Sequence, residues 1–477
     1  MNSHNCSFMI KVGGVHVKKF DLVIKDGIIV TSSDVFKGDI GIVNGKIDDI
    51  GEGLEEFTEN VINAEGKYIF PGGIDAHTHL DMPFGGTFSS DDFESGTKAA
   101  AIGGTTTVID FAVQPQGKTL HDAIQMWREK ADNKACIDYG LHLAISQMND
   151  KTREEIPEVI KEGYSSFKVF MTYDNMMVDD MAFMEILNLA RDNKGLIGVH
   201  AENHYVIKYL TDKLLSEGKI EPKYHAESRP ANCEAEAVNR AIKLAEMTKS
   251  PLYVVHNSCK EGVSEIKNAR ERGIPIMGET CPQYLLLSES NYEEAGFEGS
   301  KYVMSPPLRE KENWDYLWKA IKDGVLQTVA TDHCPFFMEQ KRMGVNDFTK
   351  IPNGAPGIEL RMALMYSFGV AENRISIEKF VEVTSTNVAK IFGMYPKKGT
   401  IVVGSDADLV MFDPNKKVKI TKELLHENVD YTPYEGFEIK GYPVMTLSRG
   451  EIIAKDGQYI GKEARGRFIK RGAPKIL

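Results

Sequence analysis

Between residues 71 and 395, short apolar runs alternate with amphipathic stretches of helical length, and this alternation constrains the fold more than any other feature of the chain. Eight apolar runs can be counted: "GGIDAHTHL", "TTTVIDFA", "YGLHLAIS", "SSFKVFMTY", "LIGVHAEN", "LYVVHNSC", "IPIMGETCPQYL" and "LQTVATDHCPF". Helical stretches such as "TLHDAIQMWREKADNK" (119–134) and "NCEAEAVNRAIKLAEMTK" (232–249) lie between them. Repeated βα units of this kind build a parallel sheet. Eight of them predict a closed (β/α)8, or TIM, barrel over 71–395, with a doubly wound open sheet as the alternative.

The flanks have a different texture. Residues 20–70 alternate β-branched runs with the turn dipeptides Asp26-Gly27 and Asn44-Gly45, both signals for tight hairpins. The same texture returns in "GTIVVGSDADLVMFDP" and "TLSRGEIIAKDGQYIG". These segments could be two domains; the reading favoured here is one small β-sandwich made from 20–70 and 396–460. Residues 1–19 show no periodicity and are expected to be an unstructured extension. Residues 461–477, basic and punctuated by Gly and Pro, read as an extended tail.

Composition narrows the function classes. With 57 basic and 69 acidic residues the net charge is −12, and no basic run suggests a nucleic-acid surface. The six cysteines are scattered without a C-x-x-C pair and read as reduced thiols. No stretch approaches the ~18 uncharged apolar residues of a membrane span. The N-terminus lacks the apolar core of a signal peptide. The expectation is a soluble, cytoplasmic protein that binds neither membrane nor nucleic acid.

In a (β/α)8 barrel the C-terminal strand ends converge on one face, where active sites are built. Polar residues fall at those ends. The first run ends in His77-Thr78-His79, the fourth carries Lys168, the fifth ends at His200, the sixth at His256 and the eighth at Asp332. His-x-His on a strand places both imidazoles on one side, because side chains repeat every two residues. Neutral imidazoles aimed at one point suit a borderline metal such as zinc. A histidine ending a single strand is ordinarily a core residue. Four of them with Asp332 on one barrel face predict a metal centre.

Lys168 is the anomaly. A parallel barrel strand is buried on both faces, so an unpaired ammonium there is costly, and metal cations would repel it. Carbon dioxide adding to the neutral amine gives a carbamate, an anion whose two oxygens can bridge two metal ions. The expected cofactors are therefore two divalent metal ions and N6-carboxylysine at Lys168. Pairing of Lys168 with a nearby acid such as Glu202 is the alternative.

At these residues the chain resembles the dihydropyrimidinase/hydantoinase branch of the amidohydrolase superfamily. The resemblance rests on "PGGIDAHTHLDMPFGGT", "FKVFMTY", "VHAEN", "YVVH", "GETCPQYL", "SPPLRE", "TDHCPF", "FTKIPNGAPGIE" and "KGTIVVGSDADLVMFDP", and runs from about residue 20 onward. It implies a (β/α)8 barrel with a β-sandwich from both chain ends, a homotetramer, and two metals that are usually Zn2+. His77, His79 and Asp332 would hold one metal and His200 and His256 the other, with carboxylated Lys168 bridging. Tyr173 would bind the substrate carbonyl and stabilise the oxyanion. Ser305 and Asn353 would hold the cyclic amide or imide through backbone groups. Leu80 and Phe84, with Met176 and Met177, would line the pocket for the ring substituent. His204 departs from the family, which commonly has glycine there, and residues 1–18 have no counterpart.

The expected reaction is ring opening of dihydropyrimidines and 5-substituted hydantoins to N-carbamoyl amino acids. A metal-bridging hydroxide would attack, with Asp332 shuttling its proton to the leaving nitrogen and Tyr173 polarising the carbonyl. Allantoinase- and dihydroorotase-like cyclic amidases are the nearest rivals. Their polar substrates suit a charged residue before the proline, whereas Leu80-Asp81-Met82-Pro83-Phe84 favours an apolar substituent. A non-enzymatic relative that has lost ligands is the rival of another class. Cys334 is expected to pack rather than to act as a nucleophile.

Overall fold

The computed structural model describes residues 9–12 and 15–477, with side chains from Lys19 onward. Eight parallel strands form one sheet in chain order: β1 (Gly73–Thr78), β2 (Thr105–Val113), β3 (Asp138–Ala144), β4 (Ser166–Phe170), β5 (Leu196–His200), β6 (Leu252–Val254), β7 (Ile276–Thr280) and β8 (Thr328–Val329). A parallel bridge from Thr78 to His333 joins the first strand to the segment after the last and closes the ring. The doubly wound alternative is thereby excluded.

The strands are buried along their whole length, as all five residues of β4 and of β5 illustrate. Helices supply the outer cover. In Asp180–Asp192, buried Phe183, Ile186, Leu187 and Ala190 recur at the spacing of one helix face, and Asp179 caps the helix by accepting from Ala182 N–H at 2.8 Å. Each large apolar side chain so buried contributes about 1.5–3 kcal/mol. Among the described residues no helix is long and apolar enough to cross a membrane.

Both chain ends meet in a second sheet, which is mainly antiparallel. Tyr68–Pro71 from the N-terminal segment pairs with Leu409–Lys419 from the C-terminal one, and Ile24, Ile40 and Ile69 share a core with Leu409 and Leu447. Asn44-Gly45 forms the expected tight turn, with both φ angles positive and Val43 opposite Lys46. Asp26-Gly27 does not. It lies inside the single strand Leu22–Val30, at a register irregularity opposite Val35–Val43. Positive φ at Asp26 serves a bulge here, held by Asp26 N–H donating to Asp39 Oδ1 at 2.9 Å.

The terminal segments are more ordered than expected. Met9–Val12 pairs antiparallel with Val15–Lys18, so part of the expected unstructured extension is a pair of strands. The rest of that expectation, over 1–8 and 13–14, falls outside the described residues. The basic tail is extended but docked: Ile469 and Arg471 are buried, and Ile469 N–H donates to Tyr139 O at 2.7 Å. Lys398 fastens the second sheet to the barrel, with Nζ 2.7 Å from Asp138 Oδ2 and 2.6 Å from Asp408 Oδ2.

Candidate metal centre and active site

The barrel brings the six predicted metal residues together. His77, His79, Lys168, His200, His256 and Asp332 all line one narrow inner pocket at the C-terminal strand ends. Lys168 lies mid-strand in β4 and His200 ends β5, while His79, His256 and Asp332 lie just beyond their strands. Ring centroids are 5.2 Å apart for His77 and His79, 5.2 Å for His77 and His256, and 4.6 Å for His200 and His256. His256 (φ 38°), Asp332 (φ 54°) and Tyr173 (φ 76°) all take left-handed backbone conformations. Such strain costs of the order of 1–3 kcal/mol per residue and is concentrated where function requires it.

The polar accounting fits a metal. Donor atoms of His77, His256 and Asp332 lie within 4.8 Å of one another. His77 Nε2 and His79 Nε2 each lie 3.1 Å from Asp332 Oδ1. A tetrahedral shell with ~2.0–2.1 Å bonds has ligand-to-ligand edges of roughly 3.3–3.4 Å, so this spacing suits donors around a common ion. Among the described residues, His79 Nδ1 and His256 Nδ1 are buried without a hydrogen-bond partner. Orphaned buried nitrogens are rare and call for an occupant. Burial also lowers His79 to about 4, which keeps its imidazole neutral and able to bind metal at neutral pH.

Lys168 is 1% exposed, and among the described residues no carboxylate forms an ion pair with it. Its Nζ lies over the Phe111 ring, 4.7 Å from the centroid. Burial lowers its pKa to about 8, opposed by the more distant charges of Asp332 and Glu279. Glu202, the alternative partner, is committed elsewhere. Its Oε2 accepts from Arg229 Nη1 and pairs with His200 Nε2, both at 2.7 Å. Burial alone would raise that carboxyl, but Arg229 and His200 hold it at about 2.

Glu279, at the end of β7, was not singled out from the sequence. Its Oε1 pairs with His77 Nδ1 at 2.7 Å, and it is fully buried. The signal was present in "GETCPQYL": a carboxylate inside an apolar strand is as anomalous as Lys168. Asp75 and Asp110 were missed for the same reason. Asp75 Oδ2 accepts from Thr331 Oγ1 at 2.6 Å and ties β1 to the approach to Asp332. Asp110 Oδ2 accepts from Thr78 Oγ1 and Leu80 N–H, both at 2.8 Å, fixing the backbone around His79.

Tyr173, Ser305, Asn353, Phe84 and Met176 line the same pocket. Asn353 Nδ2 donates to Ser305 Oγ at 3.0 Å, and the Phe84 and Tyr173 rings meet edge-on with centroids 5.9 Å apart. Leu80 is a correction. It is fully buried in the barrel core, with Cδ2 in the space a side chain at Gly96 would need. Leu80 points away because its backbone is pinned by Asp110, and Met82 lines the pocket instead. Met177 does not line it. A larger cavity of about 520 Å³ adjoins and shares Phe84, Tyr173, Met176 and Asn353. His204 lines that outer cavity, with Nε2 3.3 Å from Asp174 Oδ1. Cys334 lines the inner pocket, but burial pushes its thiol far above the usual range, which removes it as a nucleophile.

Fold and site together define a (β/α)8 barrel protein with a buried pocket for divalent metal at its strand ends. The model of the amidohydrolase family matches residues 68–453. A D-hydantoinase of Geobacillus stearothermophilus is 52% identical over 452 residues, which cover 94% of this chain and 96% of that protein. The crystal structure of dihydropyrimidinase from Brevibacillus agri NCHU1002 superposes with a TM-score of 0.94 at 51% identity, covering 95% of this chain and 99% of that one. L-hydantoinase (dihydropyrimidinase) from Arthrobacter aurescens gives a TM-score of 0.87 at 31% identity, covering 95% and 100%. The chain belongs to the amidohydrolase family, in its dihydropyrimidinase/hydantoinase branch.

Proposed function

We propose that this protein is a metal-dependent cyclic amidase that opens dihydropyrimidines and 5-substituted hydantoins to N-carbamoyl amino acids. The observation that carries the reading is the meeting of four histidines, Asp332 and a buried lysine that has no acid partner among the described residues, all in one pocket of a hydantoinase-like barrel.

In this reading His77, His79 and Asp332 would hold one divalent ion and His200 and His256 the other, with Lys168, once carboxylated, as a further anionic ligand. The shift of Lys168 to about 8 supports carboxylation, since an appreciable neutral fraction of the amine is then present near pH 7. That amine adds to carbon dioxide, forming the N–C bond and releasing one proton. Zn2+ is the expected metal, because imidazole and carboxylate donors at this spacing suit it. When bound, the metals supply a water that ionises near neutral pH and polarise the ring carbonyl.

The protein's own groups do the rest. Tyr173 donates its phenolic hydrogen to the developing oxyanion; burial raises its pKa and keeps it protonated. Asp332 Oδ takes the proton of the attacking water and delivers it to the ring nitrogen as the amide bond breaks. Ser305 and Asn353 hold the ring's remaining amide or imide edge. Phe84, Met82 and Met176 accept the substituent on an apolar, adaptable wall. A homotetramer is the assembly expected from the family resemblance.

The test is turnover of dihydrouracil and of D- and L-5-substituted hydantoins by purified protein, with metal content measured on the same sample. Two equivalents of metal and formation of the N-carbamoyl acid are expected. A metal-free protein without turnover would leave the scaffold reading standing.

A further inference from the structure

Lys341 is fully buried, and its three N–H bonds go to the carbonyl oxygens of Val303 (3.0 Å), Pro352 (2.7 Å) and Gly354 (2.7 Å). No described carboxylate pairs with it. Burial lowers it to about 7, opposed only by Cys334. Its Nζ also lies over the Phe336 ring, 5.6 Å from the centroid, and a buried ammonium whose hydrogen bonds all go to backbone oxygens is costly. What distinguishes its three acceptors is where they lie: they flank Ser305 and Asn353, which line the inner pocket and in the reading above hold the substrate ring.

The peptide planes explain the consequence. Pro352–Asn353 is a trans peptide, so its C=O and N–H point in opposite directions. With Pro352 O held by Lys341 Nζ, the Asn353 N–H is turned away from the ammonium, and no described group accepts it. The neighbouring segment repeats the device. Buried His225 Nε2 donates to Met304 O at 2.8 Å, and the Ser305 N–H likewise finds no described acceptor. Val303 O accepts from both Lys341 Nζ and Gly354 N–H, locking the two segments to each other. Gly354 has φ 145° and sits so close to Cys334 O that a Cβ would fall 2.2 Å from it. The segment thus has Lys341 on one side and, on the other, the stretch that follows Asp332.

We propose that Lys341 is a positioning residue for substrate: it orients the Pro352–Gly354 and Val303–Ser305 backbones so that the free amides at Asn353 and Ser305 meet the ring's amide edge. Lys341 touches neither substrate nor metal. The proposal rests on the cyclic-amidase reading above.

The experiment replaces Lys341 by Met, which keeps length and removes charge and donors, and by Gln, which restores neutral donors. Metal content, kcat and KM for a 5-substituted hydantoin are measured beside the wild type. Lys341→Met is expected to keep its metal and to raise KM roughly tenfold or more with kcat changed several-fold less, with Lys341→Gln between the two. A Lys341→Met protein with wild-type KM overturns the proposal, and so does one in which kcat and metal fall while KM holds. If Lys341→Met does not fold, Lys341→Gln carries the same two criteria. Failure of the wild type to open hydantoins would instead sink the underlying activity, so the two failures are distinguishable.

Discussion

Glu279 Oε1 lies 2.7 Å from His77 Nδ1 in the barrel interior, and the same oxygen accepts from the His256 backbone N–H at 3.1 Å. Its other oxygen accepts from Tyr253 OH at 2.7 Å. A carboxylate only accepts, so Nδ1 of His77 carries the hydrogen and Nε2 presents its lone pair to the pocket. One acid therefore fixes the tautomer of one predicted ligand and the backbone of another. Glu279→Gln is expected to weaken metal retention by about 10–100-fold, read by chelator competition, and activity should return in excess metal. Unchanged retention would show that the pair is structural only.

Lys168→Ala removes the group whose burial is otherwise unexplained. Metal content and turnover are both expected to be lost, with the barrel still folded by circular dichroism. In the wild type, growth or dialysis in 13C-bicarbonate should place one labelled carbamate carbon on the protein by NMR. A Lys168→Ala protein with full turnover, or a wild type without the label while active and metallated, would contradict the assignment.

These two residues mark the limit of what the sequence could reveal. Lys168 and the four histidines were legible because polar residues stood out inside apolar runs, and barrel topology then told where strand ends meet. Glu279 carries the same signal, but it belongs to no metal-ligand spacing pattern in the sequence. The direction of Leu80 was not legible, since it depends on Asp110, thirty positions away, gripping its backbone N–H. Asp26-Gly27 misled for a related reason. Positive φ serves a bulge as well as a turn, and only the pairing partner distinguishes them. The paired strands 9–12 and 15–18 were legible as well: Val15-His16-Val17-Lys18 alternates, and Gly-Gly between two β-type runs is a turn signal that the expectation of an unstructured extension passed over.

Tyr173→Phe removes one hydroxyl and leaves the edge-on contact with Phe84 available. Loss of one oxyanion donor lowers kcat by about 100–1,000-fold. Metal content should be unchanged and KM should move much less. A variant within threefold of wild-type kcat would assign oxyanion stabilisation to the other groups of the pocket.

Glu202 gives a pH signature. Burial would raise its carboxyl, yet Arg229 and His200 hold it at about 2, below the usual 4.5. A folded value below the unfolded one means stabilisation that is complete above pH ~4.5 and is lost as pH falls towards 2. The shift corresponds to up to ~3 kcal/mol. Glu202→Gln should therefore lose about that much stability at pH 7, measured by urea unfolding of metal-free protein. The gap from wild type should narrow steadily below pH ~4.5. A gap independent of pH would mean that the carboxylate charge contributes nothing.

Leu80 and Phe84 separate core from pocket within five residues. Leu80 is fully buried beside Gly96, so Leu80→Ala leaves a cavity in the barrel core and should cost about 2–5 kcal/mol of stability. Phe84 lines both the inner pocket and the outer cavity and is only part-buried, so Phe84→Ala should cost little stability. It removes the ring that meets Tyr173 and widens the opening, which should raise KM for aryl-substituted hydantoins relative to dihydrouracil. Comparing the ratio of kcat/KM for those two substrates in both variants, alongside their unfolding midpoints, decides the matter. Substrate preference should follow Phe84 and stability should follow Leu80. A shifted preference in Leu80→Ala at unchanged stability would return Leu80 to the pocket wall.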